Sequence, residues 1–472
     1  MSLANQASIS LANHWTGKQA LLRARAFPMI PQMLFLLAFV LAIAGAWGVD
    51  ATDAKVLKEL RNTNLANLAV WSFWFPLVIA SAVLFGRLWC MVCPMELVTS
   101  WSARVGLRLR VPRWVQSGWL MPLLYFTILF FGIHCFSIHR SPERMAWYML
   151  TLLALSAGVG LLFEKRAFCA FVCPVGPLLR LYSKMAPVTW RVQDQAVCEG
   201  CKTKDCIAAR HLYHWQGRSC GNSIYPPAIV GNGECILCTQ CAKVCPNDNP
   251  TLALRRPFAD FVQPEVLRSV EACFLLIVSG FVIYELLTEW KTSEAVLLWA
   301  PDYLKAALGI ADRWYAGLVH ATLIFLGIPL TLWLSGWVID RLRGAQWPFP
   351  AYLTQFAIAI IPIAAAGHLC KATLKTTTRL AYLPHVAGDP IGLANARAIA
   401  DGSLKLQAPG FVAAQWPVTI LLLTFLSVGL AVSLLALRGI RRREGRLPVG
   451  PAVVAGIYWL ILAGTITLWR VV

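Results

Sequence analysis

Charge is scarce in this chain of 472 residues. Only 14% of the residues are charged, whereas a typical soluble domain has about 25%. Hydrophobic residues make up 58% of the chain, and Trp alone occurs 20 times. Because so few charges cannot cover a water-soluble surface, the composition excludes an ordinary cytosolic enzyme and indicates an integral membrane protein.

Acidic residues are scarcer than basic ones. The 23 Asp and Glu against 42 Lys and Arg give a formal net charge of +19. A basic chain can bind nucleic acid, but neither a basic helix nor an RNA-binding signature occurs. The basic residues instead collect in short loops beside apolar segments, where they set membrane topology and contact anionic lipid.

Nine apolar segments come close to the length of about 20 residues that a helix needs to cross a bilayer. They lie at 28–48, 68–88, 117–136, 146–163, 268–288, 315–338, 352–370, 414–437 and 450–469. The sequence therefore predicts an all-α polytopic membrane protein with about nine transmembrane helices.

Basic residues precede the first predicted span and follow the second, fourth, sixth and eighth. They are Lys18, Arg23, Arg25, Arg87, Arg104, Arg108, Arg110, Arg113, Lys165, Arg166, Arg180, Arg341, Arg343, Arg438, Arg441, Arg442, Arg443 and Arg446. By the positive-inside rule, the N-terminus and these loops face the cytoplasm, and the C-terminus lies outside.

The spans divide the chain into three predicted parts. Residues 1–184 form an N-terminal membrane module, and residues 266–472 form a C-terminal module of about five spans with a periplasmic loop at 371–413. The segment 185–265 between them contains eight Cys but too few apolar residues to bury a core, so it needs disulfides or metal to fold. Because disulfides are disfavoured in the cytoplasm, metal is the expected stabiliser.

The strongest motif lies in this segment. Residues 235–246 have the pattern C-x2-C-x2-C-x3-C-P, which is the bacterial ferredoxin run for a [4Fe–4S] cluster. In two-cluster ferredoxins the fourth Cys of each run binds the other cluster, and an irregular second run lies upstream. By this analogy, one cluster takes Cys198, Cys201, Cys206 and Cys245, and the other takes Cys220, Cys235, Cys238 and Cys241. The alternative is one cluster with a zinc ion or a vestigial site.

A repeat ends the second and fourth predicted spans. In both copies, residues 84–94 and 162–174, a basic residue and an aromatic residue precede a Cys and then a Cys-Pro pair. We interpret these cysteines as a shared metal site, as redox-active thiols or a docking site for quinol or copper, or as packing residues. They are Cys90, Cys93, Cys169 and Cys173.

Membrane spans that end in Cys-Pro motifs, together with a two-cluster ferredoxin-like module, resemble the NapH/NosR-type membrane iron–sulfur proteins. The resemblance covers about residues 68–260. Cys169–Pro174 matches the family's C-x3-C-P motif, and Cys90–Pro94 is one residue shorter. The resemblance implies a role in electron transfer linked to periplasmic nitrate and nitrous oxide reductases. A related branch of this family assists copper delivery to oxidases.

The resulting hypothesis is a multi-pass protein of the bacterial cytoplasmic membrane. It relays electrons between quinol or a cytoplasmic donor and a periplasmic or partner-subunit redox enzyme. The alternative is an assembly factor that reduces copper or thiols while a respiratory enzyme matures. A transporter with an iron–sulfur sensor is disfavoured because mid-span charges are scarce. With neither a nucleophile–base pair nor a phosphate loop, an oxidoreductase subunit is favoured over a stand-alone enzyme.

Electrons that cross a hydrocarbon core of ~30 Å need an intermediate carrier. A mobile quinone, a buried metal or a haem b meets this need. His320 and His368 are the candidate pair for haem or quinol, because histidine is a common haem and metal ligand.

Overall fold

The computed structural model describes residues 9–10, 20, 22–24, 26–215, 217–262, 264–445 and 448–471. Of the basic residues used above to orient the chain, Lys18, Arg25 and Arg446 lie outside the described residues. Helices dominate the described part, and this confirms the predicted helical membrane class.

Eight helices in the described part are long and apolar enough to cross a membrane. They are Met29–Ala46, Leu65–Phe85, Pro142–Leu162, Ser269–Leu287, Trp314–Leu342, Phe349–Val386, Trp416–Arg443 and Val449–Trp469. The predicted segment 117–136 corresponds to a shorter apolar helix, Leu120–Ile133. Each predicted segment is therefore helical, and a total of nine crossings remains a prediction.

Shorter helices connect these spans. They include Ala54–Thr63, Pro94–Val105, Gly176–Tyr182, Lys291–Ala307 and Leu393–Ala400. The helices pack into two compact units. The first comprises the described residues up to Leu41, Ala80–Met121 and Met149–Asp260, and the second comprises Ala42–Ile79, Pro122–Tyr148 and the described residues from Phe261 onward.

The first unit contains a small antiparallel sheet that the sequence does not predict. Its strands are β1 (Ile9–Ser10), β2 (Val188–Val192) and β3 (Pro250–Leu254), in the order β1–β3–β2. β2 leads into the Cys-rich segment and β3 leads out of it, and the two are paired along their whole length. The Cys-rich segment therefore begins and ends at neighbouring strands of the same sheet.

The second unit is held together by close helix packing. A Cβ atom on Gly450 would lie only 2.0 Å from the carbonyl oxygen of Gly336, so the two helices meet backbone to backbone. Small residues at such crossings let membrane helices pack closely. Asp340 caps the last helix there, because its Oδ1 accepts hydrogen bonds from the amides of Val449 (3.0 Å) and Gly450 (3.1 Å).

Candidate functional site

Four cysteines line one cavity in the Cys-rich segment: Cys198, Cys201, Cys206 and Cys245. Cys198 lies in the short helix Gln195–Glu199, which Asp194 caps by accepting a hydrogen bond from the amide of Ala196 (2.8 Å). Tyr225 also lines this cavity, and its hydroxyl donates to the carbonyl of Cys198 at 2.9 Å. The structure thus brings together the thiols that the sequence assigns to one cluster.

A second cavity is lined by Cys220, Cys235, Cys238 and Cys241. Leu237 and Thr239, on either side of Cys238, have φ angles of 59° and 61°. A left-handed backbone is unusual for such residues and is typical of functional sites that the surrounding structure holds in place. It turns residues 235–239 around the cavity, and the helix Gln240–Val244, which contains Cys241, follows directly. Pro226 lines both cavities, so the two share a wall.

Several N–H groups point at the cysteine sulfurs. Asn249 Nδ2 donates to Cys198 Sγ at 3.0 Å, and Trp190 Nε1 donates to Cys241 Sγ at 3.2 Å. Hydrogen bonds of this kind tune the reduction potential of iron–sulfur clusters. Trp190 is 1% exposed and packs in β2 against Ile229 and Leu237. Sequence reasoning missed Trp190 and Asn249, because neither lies within a cysteine run.

Burial, and then the neighbouring thiols, raise the pKa of Cys206 and of Cys235 to about 12. The free thiols are therefore protonated at neutral pH, and metal binding has to release their protons. Four thiols around each cavity match the ligand number of a cubane cluster.

The cysteines of the membrane-edge repeat also lie in the first unit. Cys90 belongs to the helix Leu88–Val92, and Cys93 occupies the extended break before the helix Pro94–Val105. Cys169 belongs to a π-helix, Phe168–Val172, and Cys173 follows it. Burial and then the charges of Cys169, Cys173 and Cys90 raise the pKa of Cys93, so thiols of both copies lie within electrostatic range of each other.

A buried carboxylate, Glu96, lies beside this repeat and is 1% exposed. Its Oε1 pairs with Arg218 Nη2 at 2.6 Å and with Arg166 Nε at 3.2 Å, and Ser100 and Gln32 donate hydrogen bonds to the carboxylate. Burial alone would raise the pKa of Glu96, but the two arginines outweigh it and lower the pKa to about 2. Sequence reasoning missed this residue, although it is the only acid between Arg87 and Arg113.

No three His, Cys, Asp or Glu side chains within the described ranges form a group that could hold a metal ion. A zinc ion binds thiolates at about 2.3 Å, which requires all its ligands to crowd around one point. A cubane attaches its thiolates at four separate corners, so it accepts a wider spacing. Clusters at these cysteines stay a prediction, and so does the zinc alternative.

The two candidate histidines lie in the second unit. His320 Nε2 is hydrogen-bonded to Asp302 Oδ1 at 3.0 Å. His368 is 3% exposed, and its ring centre lies 5.6 Å from that of Phe281. A role for this pair in binding haem or quinol remains a prediction.

A family model described as "4Fe-4S binding domain" matches residues 68–112 and 145–193. These two segments contain the membrane-edge repeat, with Cys90 and Cys93 in the first and Cys169 and Cys173 in the second. The match supports the binding of an iron–sulfur cluster by this protein.

Two curated relatives are similar to parts of this chain. NirI of Paracoccus denitrificans is 25% identical over 275 residues, which are 51% of this chain and 38% of NirI. An uncharacterised protein of Methanocaldococcus jannaschii is 27% identical over 175 residues, which are 36% of this chain and 65% of that protein. The chain thus spans less than two thirds of the length of either relative. No solved structure matches it.

The apolar helices and the matched domain indicate a membrane protein that binds an iron–sulfur cluster. The match and the similarity to NirI confirm the resemblance to the NapH/NosR type of membrane iron–sulfur protein.

Proposed function

We propose that two [4Fe–4S] clusters occupy the two cavities of the Cys-rich segment, and that the protein passes single electrons through them. The observation that carries this proposal is that eight cysteines line two cavities, four to each. Each cavity also takes one cysteine from the other sequence run. Cys245, from the second run, lies in the cavity of the first run, and Cys220, from the first run, lies in the cavity of the second. This interleaving is the arrangement of two-cluster ferredoxins.

The chain's own residues would hold and tune these clusters. The thiolates would bind iron, and the left-handed turn at Leu237 and Thr239 would keep the Cys235–Cys241 loop open around its cluster. Trp190 and Asn249 would each donate an N–H hydrogen bond to one ligand sulfur. The shared wall at Pro226 would keep the path between the two clusters short.

The donor and acceptor belong to the same proposal. Electrons would enter from quinol or a cytoplasmic donor and leave toward a periplasmic or partner-subunit redox enzyme, with the Cys-rich segment on the cytoplasmic side. The positions of the basic residues support this orientation.

Iron and sulfide quantitation with EPR on anaerobically purified full-length protein tests the clusters. Two clusters require at least about eight iron and eight sulfide per chain. Cys238→Ser should remove the signal of one cluster, whereas Cys370→Ser, at a buried lone cysteine, should leave both signals intact. Zinc with little sulfide, or an unchanged signal in Cys238→Ser, would refute the proposal.

The electron donor is tested in purified membranes. Quinol-driven reduction of the clusters supports the relay, and a pyridine haemochrome assay on the same sample shows whether haem participates. Reduction of copper without coupling to quinol would instead support the assembly factor.

A further inference from the structure

We infer that the first unit binds one phosphate group in a cationic cavity of about 290 Å³, a volume that includes the open mouth of the cavity. Four cationic side chains from three separate segments of the chain line it: Arg104, Lys165, Arg166 and Arg218. Two of them directly follow the span Pro142–Leu162. The site is more specific than a general attraction between basic loops and anionic lipid, because one cavity collects these four charges.

The positive charges of the cationic cavity exceed the negative charge that the structure brings to them. None of the described residues that line it is acidic. The buried carboxylate of Glu96 pairs with Arg218 at 2.6 Å and with Arg166 at 3.2 Å, so one negative charge serves two arginines. Lys165 Nζ has a neutral partner, the hydroxyl of Ser223, at 2.9 Å. Because cations removed from water need a compensating charge, the cavity favours a further anion.

Arg104 provides the most direct evidence for a bound anion. Its Nη2 donates to the carbonyl of His214 at 3.1 Å, and its Cζ lies 4.0 Å from the centre of the Trp215 ring. These contacts hold the guanidinium group in place. Its Nε and Nη1 are buried, however, and have no hydrogen-bond partner among the described residues. A buried donor without a partner is costly, so these two nitrogens indicate a ligand that accepts from them.

Lys165 is held at the cavity by an unusual backbone and by a second segment of the chain. Its φ angle is 61°, a left-handed conformation that is uncommon for such a residue and is typical of functional sites. Its amide donates to Tyr213 Oη at 3.3 Å, and the Tyr213 ring lies 4.2 Å from Arg108 Cζ. Tyr213 also lines the cavity, so the loop after the span and the Cys-rich segment are joined there.

The four cationic side chains fit a phosphate group better than a monatomic anion. A guanidinium group presents N–H donors in a planar fork that matches phosphate oxygens, and a lysine adds a compact charge. A phosphate group has several oxygens that can accept from separate donors, whereas a chloride ion is a single centre. The three arginines and the lysine come from different directions in the chain and therefore suit the larger anion.

A phospholipid headgroup is the favoured source of this phosphate, because exposed apolar side chains adjoin the cavity. Val105 follows Arg104 and is 82% exposed, and Leu107 is 69% exposed. The amide of Leu107 donates to the carbonyl of Leu161 at 2.7 Å, at the end of the span. Basic pockets at membrane helices bind the headgroups of anionic lipids, and apolar side chains beside them can contact the acyl chains. Free inorganic phosphate is the other source of the same group.

A phosphate in this cavity would also act on the neighbouring cysteine cavity, and this consequence rests on the proposed function. Arg166, Arg218 and Gly221 line both the cationic cavity and the cavity of the Cys235–Cys241 loop. A phosphate on one side of these arginines would offset part of their positive charge. The cluster on the other side would then be harder to reduce, because a nearby negative charge disfavours the reduced state.

Calorimetric titration of anaerobically purified, delipidated full-length protein in a non-ionic detergent tests the site. The two probes are dioctanoylphosphatidylglycerol and inorganic phosphate, and we expect saturable binding of a single phosphatidylglycerol per chain. Arg104→Gln and Lys165→Gln should each weaken this binding by about tenfold or more, because each removes a hydrogen bond between charged groups. Arg110→Gln is the matched control: it removes the same charge from an exposed residue outside the cavity and should leave the binding unchanged.

The two probes distinguish the sources of the phosphate. Tighter binding of phosphatidylglycerol identifies a lipid and tighter binding of inorganic phosphate identifies the free ion, and either result supports the site. Binding of neither probe would overturn it. An equal loss in Arg110→Gln and Arg104→Gln would also overturn it, because general attraction to basic loops would then explain the binding. Far-UV circular dichroism checks that the variants keep their helices.

An EPR redox titration with and without the bound probe separates this site from the proposed function. A lowered potential of one cluster supports the coupling through Arg166 and Arg218. Binding without any shift would refute the coupling but not the site. Binding to a protein that contains no iron would refute the clusters and leave the phosphate site standing.

Discussion

Glu96 illustrates how much one buried side chain can connect. Its carboxylate accepts hydrogen bonds or ion pairs from the first span (Gln32), the second repeat copy (Arg166) and the Cys-rich segment (Arg218). All of these groups belong to the first unit. Removing one partner of a buried pair leaves an uncompensated charge, which costs more than the pair itself contributes.

We therefore expect Glu96→Gln to lower the free energy of unfolding by about 3–5 kcal/mol, because both arginines lose their carboxylate. Glu234→Gln is the control, since Glu234 pairs with Arg180 at the surface, where a pair contributes only about 0–1 kcal/mol. Denaturant unfolding in detergent measures both variants. Equal, small losses would show that the buried carboxylate is unimportant for stability.

The same carboxylate has a defined pH dependence. In the folded protein the pKa of Glu96 is about 2, below the ordinary value of 4.5. The carboxylate therefore makes its full contribution to the free energy of unfolding above about pH 4.5, and this contribution is lost as the pH falls toward 2. The cost of Glu96→Gln should therefore be the same at pH 6 and pH 8. A cost that changes across this interval would contradict the lowered pKa.

The indole N–H of Trp190 should raise the potential of the cluster that Cys241 helps to bind. Trp190→Phe removes this hydrogen bond but keeps the buried ring. If the bond is stronger by about 1 kcal/mol in the reduced state, its loss lowers the one-electron potential by about 40 mV. An EPR redox titration measures the shift, and Trp215→Phe, at an exposed Trp, should leave the potential unchanged.

At the scale of helices and strands, sequence patterns predict the long membrane helices but miss the short strand β2 and the π turn Phe168–Val172. The apolar runs predict the membrane helices because a span requires about 20 apolar residues. β2 reads Val-Thr-Trp-Arg-Val and does alternate apolar and polar residues, but it is only five residues long, which is too short a run to identify a strand with certainty beside a cysteine run. The π turn at Phe168–Val172 is equally hidden, because one extra residue hardly changes an apolar run.

Across the whole molecule, the cysteine motifs predict which thiols gather, because a ferredoxin run fixes both ligand type and spacing. The residues that support those thiols could not be predicted in the same way. Glu96, Trp190 and Asn249 lie outside the runs and reach the site only through tertiary packing.

Membrane topology is a further property of the whole chain, and it depends on Leu120–Ile133. If this shorter helix crosses the bilayer, nine crossings place the two termini on opposite sides. Alkaline phosphatase fused to the C-terminus should then be active, whereas fusions after Arg113 and Arg343 should be inactive. An inactive C-terminal fusion would mean that one predicted span does not cross.

The pairing of β2 with β3 brings the start and the end of the Cys-rich segment side by side, with Val192 opposite Pro250. An insertion whose two ends meet is tolerated because the flanking chain keeps its course. Residues could therefore be added inside the Cys-rich segment without changing the course of the chain where it leaves β2 and rejoins β3.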